Sequence, residues 1–174
     1  MPFYSIKPRA AANPQAAEVF IYGDIGDSFW DESTTSAANF VKEFGAIDAD
    51  EITIRINSFG GSVVDGIAIY NAIRRHRADV HTEIDGIAYS IASMIAMAGD
   101  TRGMAANARL MIHAPWSIAF GNAAEMRTTA DDLDQYAELM AGAYVTASGK
   151  EQADILSLLT DGEDHYYTAE QALD

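Results

Sequence analysis

The sequence predicts an α/β fold with a parallel-type sheet core, and three observations carry that expectation. Short apolar, β-branched segments alternate with segments of helical period. Glycine or aspartate-glycine signals mark most of the changes from one to the other. The chain is also long enough for one sizeable core: a domain of roughly 150 residues buries about 68–70% of the surface its unfolded chain exposes. With 174 residues, 49% of them apolar, no disulfide or metal staple is required. Strands alternating with helices imply right-handed crossovers between parallel strands.

In chain order, residues 1–17 hold Pro2, Pro14 and several alanines in no sustained period and read as a flexible N-terminal arm. The ordered domain is placed at 18–174. Glu18-Val-Phe-Ile-Tyr-Gly23 is a strand bounded by Gly23, Asp24 and Gly26, with a loop after it. Ser33-Thr34-Thr35-Ser36 precedes Ala37, Phe40, Val41 and Phe44, a helical stripe stopped by Gly45. Glu51 to Asn57 alternates strictly, with Ile52, Ile54 and Ile56 on one face, and runs into a turn at Gly60-Gly61. A helix follows from Val63/Val64 through Ile67, Tyr70 and Ile73 to Arg74, Arg75 and Arg77, cations that suit the negative end of its dipole.

A third strand runs from Asp79 to Ile84 and leads through Asp85-Gly86 into a segment of small and apolar residues from Ala88 to Ala98, buried on all sides if helical and closed by Gly99. Arg109-Leu-Met-Ile112 is a short strand that delivers His113. Beyond Pro115 come Trp116, Ile118 and Phe120 in alternation, then a long helix with Met126, Leu133, Ala137, Met140 and Tyr144 in a near-heptad stripe. That stripe suits either packing on the protein's own core or a subunit interface. No repeat or composition shift demands a second domain.

The charge balance restricts partners. Twenty-six acidic side chains against 11 basic ones give a formal charge of −15, with a pI near 4.4. Phosphate backbones are bound by neutralising them with Lys and Arg, so nucleic acid and anionic membrane are not expected partners. Without cysteine there is no thiolate zinc site and no cysteine nucleophile. The N-terminus lacks the apolar region of a secretory signal, and the longest apolar run, Ile84 to Gly99, is too short to span a bilayer. A soluble, cytoplasmic protein without metal or small cofactor is expected.

Three strand ends present Gly60-Gly61, Ser90 and His113, and in open α/β sheets ligands gather where parallel strands end and helices begin. Ser90 falls in the first turn of the predicted Ala88 to Ala98 helix, where backbone N–H groups lack intrahelical partners and favour negative charge. A serine hydroxyl needs a neighbouring base, and histidine titrates in the right range. Of the four histidines, His76 sits among arginines and reads as surface, while His81 and His165 read as structural. His113, after three apolar residues and before Ala114-Pro115, is the candidate base. On the residues alone Ser93 rivals Ser90.

At these residues the chain resembles the Clp protease proteolytic-subunit family and, within it, the phage head-maturation or prohead proteases. The resemblance runs from about Glu18 to Asp174. It is carried by Ile56-Asn-Ser-Phe-Gly-Gly61, Gly86-Ile-Ala-Tyr-Ser-Ile-Ala-Ser-Met94 with Ala98-Gly99, Leu110-Met-Ile-His113-Ala-Pro115, and Thr168-Ala-Glu-Gln-Ala172. It implies a spiral of βαβ units, shared with crotonase-type enzymes, and a C-terminal helical segment. It implies Ser90 as nucleophile, His113 as general base and the N–H groups of Gly61 and Ile91 as the oxyanion hole. An acidic residue before the Thr-Ala-x-x-Ala motif would orient the histidine. The candidates are Asp161, Glu163, Asp164 and Asp154, with Asp161 preferred on loop position and Asp164 second.

Two positions depart from the family. Phe59 stands where the usual residue is proline, and Tyr89 where it is small, so with Gly60 they are expected to form the walls of the substrate groove. Relatives continue past residue 174 into another strand and helix, so a C-terminally truncated domain is expected. The resemblance further implies a serine endopeptidase with protein substrates, scaffold or capsid proteins in a phage setting, and assembly into homo-oligomeric rings without an ATPase partner. Two other function classes remain at this point: a crotonase-like acyl-CoA enzyme, and a non-catalytic assembly protein. A variant mechanism would use Lys150 as the base.

Overall fold

The computed structural model describes residues 2–8, 15–26 and 36–173. In order these form β1 (Tyr4–Pro8), β2 (Ala16–Tyr22), α1 (Ala37–Gly45), β3 (Glu51–Ser58), α2 (Val63–Arg74), β4 (Asp79–Tyr89), α3 (Ile91–Ala96), β5 (Thr101–Met104), β6 (Arg109–Ile112), α4 (Ala123–Ser148), α5 (Gln152–Leu158) and β7 (His165–Thr168). A short 3-10 turn, Gln171–Leu173, follows. They divide into two compact units: residues up to 111 together with those from 166 onward, and residues 112–165.

The first unit is the expected α/β core. The alternation of Ile52, Ile54 and Ile56 places all three side chains on the buried face of β3, beside Val19 and Ile21 of β2 and Val80 and Ile84 of β4. Phe40, Phe44, Ile69, Ile73, Ile91 and Ile95, from α1 to α3, complete this core. Each fully buried isoleucine contributes about 1.5–3 kcal/mol. Strands β2, β3 and β4 are parallel, in a seven-stranded sheet of order β1-β2-β3-β4-β6-β7 with β5 also on β4. Charged groups occupy the alternate positions of β2 to β4. Arg55 bonds Glu18 through Nε (2.8 Å) and Asp85 through Nη1 (2.6 Å), and Asp85 also accepts from the Tyr22 hydroxyl (2.6 Å).

Several expectations need correction. Residues 1–17 are not an arm over their described parts: Tyr4 to Pro8 pairs antiparallel with β2, which begins at Ala16 rather than Glu18. Phe3 and Tyr4 anchor this edge strand by packing their rings on Phe40. Pro8 is tolerated there because an edge strand needs fewer N–H donors. Residues 9–14, and the loop and Ser33-Thr34-Thr35 ahead of α1, lie outside the described residues.

The strand expected to end at Ile84 continues to Tyr89, and Asp85-Gly86 forms a bulge within it. The register moves from Ile56 opposite Ile84 to Ser58 opposite Ala88, and Asn57 Oδ1 fills the gap by accepting from Ile87 N–H at 3.2 Å. The bulge lets one edge of β4 serve two neighbours, β5 along His81 to Ile84 and β6 along Ile87 to Tyr89. The helix expected from Ala88 to Ala98 therefore shrinks to Ile91–Ala96.

The second unit holds α4 and α5. Asn122 and Glu125 form a reciprocal capping box at the start of α4, and Gly149, at φ 71°, ends it in the left-handed conformation. The near-heptad stripe is buried at Ala137, Met140 and Tyr144, but Met126 is exposed, so only the C-terminal half of α4 has a covered apolar face. Trp116, Ile118 and Phe120 are also exposed. No described helix is long and apolar enough to cross a membrane.

His76 is half-buried rather than simply a surface residue. Its ring packs edge-on to Phe44 at 4.9 Å, and its Nδ1 accepts from Ala78 N–H at 3.1 Å. Burial lowers its pKa from the ordinary 6.5; the Ile47 and Phe44 carbonyls oppose this and the Arg77 cation reinforces it. The unfolded chain thus takes up a proton near pH 6.5 that the folded chain refuses, and stability falls as pH drops from 6.5 toward the folded value. Between pH 7.5 and 5.5, urea unfolding is expected to show a larger loss of stability in the wild type than in His76→Gln, which keeps an acceptor but does not titrate. Equal losses would refute this account. Gly66 sets a second close approach, since a methyl group there would strike the Ile91 side chain. Gly66→Ala is expected to cost about 1–3 kcal/mol by overpacking, against the roughly 1 kcal/mol that alanine gains in helix propensity. Gly45→Ala, which meets open space, is the control.

Candidate active site

In the first unit the site is built on the end of β3. Ser58 is fully buried, and its hydroxyl donates to Gly23 C=O (2.6 Å) while accepting from Gly60 N–H (3.0 Å). The turn that follows has Gly60 at φ 98° and Gly61 at φ 145°, both in the region that favours glycine. Ile25 clamps it by donating to Gly60 C=O (2.7 Å) and accepting from Ser62 N–H (2.8 Å). This parallel bridge uses the groups flanking Gly61, which turns the N–H of Gly61 toward the opposite edge. A side chain at Gly61 would strike the Ile25 carbonyl.

Ser90 is the single residue between β4 and α3, not part of a helical first turn. At φ 54° and ψ −131° it is the only non-glycine with positive φ among the described residues. These angles are close to the first central position of a type II′ turn, where glycine is the usual occupant. A side chain in such a region costs about 1–3 kcal/mol and persists only where its surroundings hold it. Here the Ser90 N–H donates to Met111 C=O (3.0 Å), and the Ser90 C=O accepts from both the N–H (2.9 Å) and the hydroxyl (2.6 Å) of Ser93. This separates the two serines: Ser93 is fully buried and secures the carbonyl of Ser90.

The glycine turn and the serine elbow touch. A Cβ on Gly60 would lie 2.8 Å from Ser90 Cβ and 3.3 Å from Ile91 N. Ile91 opens α3, so its N–H belongs to the first turn, which has no intrahelical acceptors. Beside this, Phe59 meets the Tyr89 ring at 5.9 Å, Tyr89 meets Tyr166 at 5.6 Å, and the Arg109 guanidinium lies 4.6 Å over Tyr166. The aromatic contact of Phe59 with Tyr89 thus continues to Tyr166 and Arg109. Sequence reasoning placed Arg109 on its strand but missed this neighbour, because Tyr166 lies on β7, a four-residue strand with no apolar run.

In the second unit His113 Nδ1 lies 3.2 Å from Asp164 Oδ1. A carboxylate accepts only, so Nδ1 carries the hydrogen and the neutral ring keeps its lone pair on Nε2. The His113 side chain is 17% exposed and that of Asp164 is 51%. The expectation that Asp161 would meet His113 is corrected. Asp161 Oδ2 bonds His165 Nε2 (2.9 Å) and its Oδ1 accepts from Glu163 N–H (2.9 Å). Gly162, at φ 82°, reverses the chain between Asp161 and Asp164 and aims the two carboxylates at different histidines. These two bonds, that of Glu163 first, hold the Asp161 carboxyl below its ordinary pKa. Glu163 is exposed beside them, Asp154 lies in the first turn of α5, and Lys150 follows the end of α4. Among the described residues no His, Asp and Glu cluster could hold a metal ion.

Comparison with known proteins agrees with this architecture. A family profile described as Clp protease matches residues 15–174. An ATP-dependent Clp protease proteolytic subunit of Ligilactobacillus salivarius (strain UCC118) is 38% identical over 128 residues, covering 71% of this chain and 63% of that protein. One from Epifagus virginiana is 39% identical over 106 residues, covering 59% of this chain and 54% of its own. The chain therefore spans less than two thirds of the length of these relatives. Its glycine turn, strained serine and carboxylate-bound histidine lie inside the residues that the profile matches, and the chain belongs to the Clp protease family.

Proposed function

We propose that the chain is a serine endopeptidase with Ser90 as nucleophile, His113 as base and Asp164 as the carboxylate that orients it. The observation that carries this reading is the backbone of Ser90, a serine held at positive φ between a strand and a helix, which is how nucleophile elbows present a hydroxyl. The His113–Asp164 bond supports it by leaving Nε2 as the basic atom.

Ser90 Oγ attacks the scissile carbonyl carbon and His113 Nε2 takes its proton. The N–H groups of Gly61 and Ile91 donate hydrogen bonds to the carbonyl oxygen as negative charge develops on it. Asp164 stabilises the imidazolium without taking its proton. The tetrahedral intermediate then collapses: the C–N bond breaks, His113 protonates the leaving amine, and an ester on Ser90 remains. Water, deprotonated by His113, hydrolyses that ester and restores the serine. Neither metal nor cofactor enters any step.

The peptide would add as an extended strand at Gly60-Gly61, with Phe59 and Tyr89 walling the groove, so most binding would come from main-chain hydrogen bonds. The resemblance of its motifs to head-maturation proteases extends this reading to phage scaffold or capsid proteins as substrates, in the host cytoplasm or the prohead. Exposed Trp116, Ile118 and Phe120, with the uncovered first half of α4, suit self-association into rings. No ATPase partner is part of this reading.

Fluorophosphonate labelling followed by intact mass is expected to give one adduct on the wild type and none on Ser90→Ala. His113→Ala and Asp164→Asn are expected to lower hydrolysis of a fluorescent protein substrate by about 10³- to 10⁴-fold, while Asp154→Asn stays near wild type. An unlabelled wild type that turns over acyl-CoA thioesters would replace this reading with the crotonase-like one. Cognate scaffold left uncut by wild type and Ser90→Ala alike would make the chain an assembly protein. Full activity in His113→Ala would move the base to Lys150.

A further inference from the structure

The loop that carries Asp164 is tied down by a carboxylate that does not touch His113. Asp161 begins this loop at the end of α5, where its N–H donates to Ser157 C=O (3.1 Å) and the Thr160 hydroxyl donates to Leu156 C=O (2.9 Å). Its Oδ1 then takes the N–H of Glu163, and its Oδ2 takes Nε2 of His165, each at 2.9 Å. Both neighbours of Asp164 in the chain are therefore bound to the same carboxylate.

We propose that Asp161 is a positioning residue: with His165 it clasps the chain on both sides of Asp164 and holds that carboxylate on Nδ1 of His113. The proposal rests on the reading of His113 and Asp164 as base and orienting carboxylate, but not on what substrate is cut. Asp164 needs such a device because its side chain is half exposed on a loop, and a free carboxylate there would exchange His113 for water. The clasp uses local hydrogen bonds of the Asx type, which close a tight turn without an apolar core beneath it. Gly162, at φ 82°, supplies the reversal that brings Glu163 N–H back to Asp161. The clasp also persists at neutral pH, since its own hydrogen bonds favour the ionised form of Asp161.

Two readouts on the full chain separate positioning from mere stabilisation. In ¹⁵N-histidine-labelled protein, the Nδ1–H cross-peak of His113 reports its bond to Asp164 whether or not the enzyme turns over. Asp161→Ala is expected to shift or broaden that peak as Asp164→Asn does, and Asp161→Asn, which keeps an acceptor for Glu163, less. In peptide hydrolysis Asp161→Ala is expected to lower kcat about 10- to 100-fold with KM within twofold, the scale of a slightly misplaced catalytic group. His165→Gln, which retains a donor, should recover most of the loss seen in His165→Ala, and this pair decides the matter if Asp161→Ala does not fold. An unchanged His113 cross-peak in Asp161→Ala, kcat within twofold of wild type, or equal losses in the two His165 variants would overturn the proposal. A wild type that takes no fluorophosphonate would instead overturn the peptidase reading, and the cross-peak would still judge the clasp.

Discussion

The contact on which the rest of the first unit depends is the approach of Gly60 to Ser90. A serine with φ of 54° is unfavourable in isolation, and it survives because neighbours on both sides fix it. Met111 binds its N–H, Ser93 binds its carbonyl twice, and the glycine turn occupies the space that any larger residue would need. That turn depends in turn on Ser58 and Ile25, which between them satisfy the polar groups of Gly60. The buried isoleucines of β3 are thus more than filler: they fix the rail whose end sets the glycine turn against the serine.

The second unit solves a different problem by different means. His113 is delivered by the end of an apolar strand, but its carboxylate comes from an exposed loop. Local hydrogen bonds, not burial, order that loop. This explains why four nearby acids have four different surroundings: one faces His113, one ties the loop, one is exposed between them, and one opens a helix. The sharing of labour also fits the charges, since Asp161 and Asp164 each have a histidine and do not compete for one.

Sequence reasoning read the core well because periodicity is a direct image of burial: Ile52, Ile54 and Ile56 can face one side of a sheet in only one way. It singled out Ser90 and His113 as candidates through strand ends and through resemblance. It failed where a local signal had two structural meanings. Asp85-Gly86 looks like a turn, yet a bulge uses the same residue types, and only the cross-strand partner Asn57 distinguishes them. Asp161 and Asp164 are three residues apart on a loop, and the choice between them depends on the path set by Gly162, which no periodicity reports. β5 and β7 escaped notice because strands of four largely polar residues take their order from neighbours already in place.

The bulge in β4 has a consequence for which side chains face inward. Between the pairs Ile56/Ile84 and Ser58/Ala88, β4 spends two more residues than β3 does. Because two is the side-chain repeat of a strand, that slack is absorbed locally, and the strand resumes its inward and outward faces with Ala88 opposite Ser58. One extra residue instead of two would exchange the two faces from Ile87 onward and turn Ala88 out of the core. The excursion at Asp85-Gly86 is tolerated because its count is even.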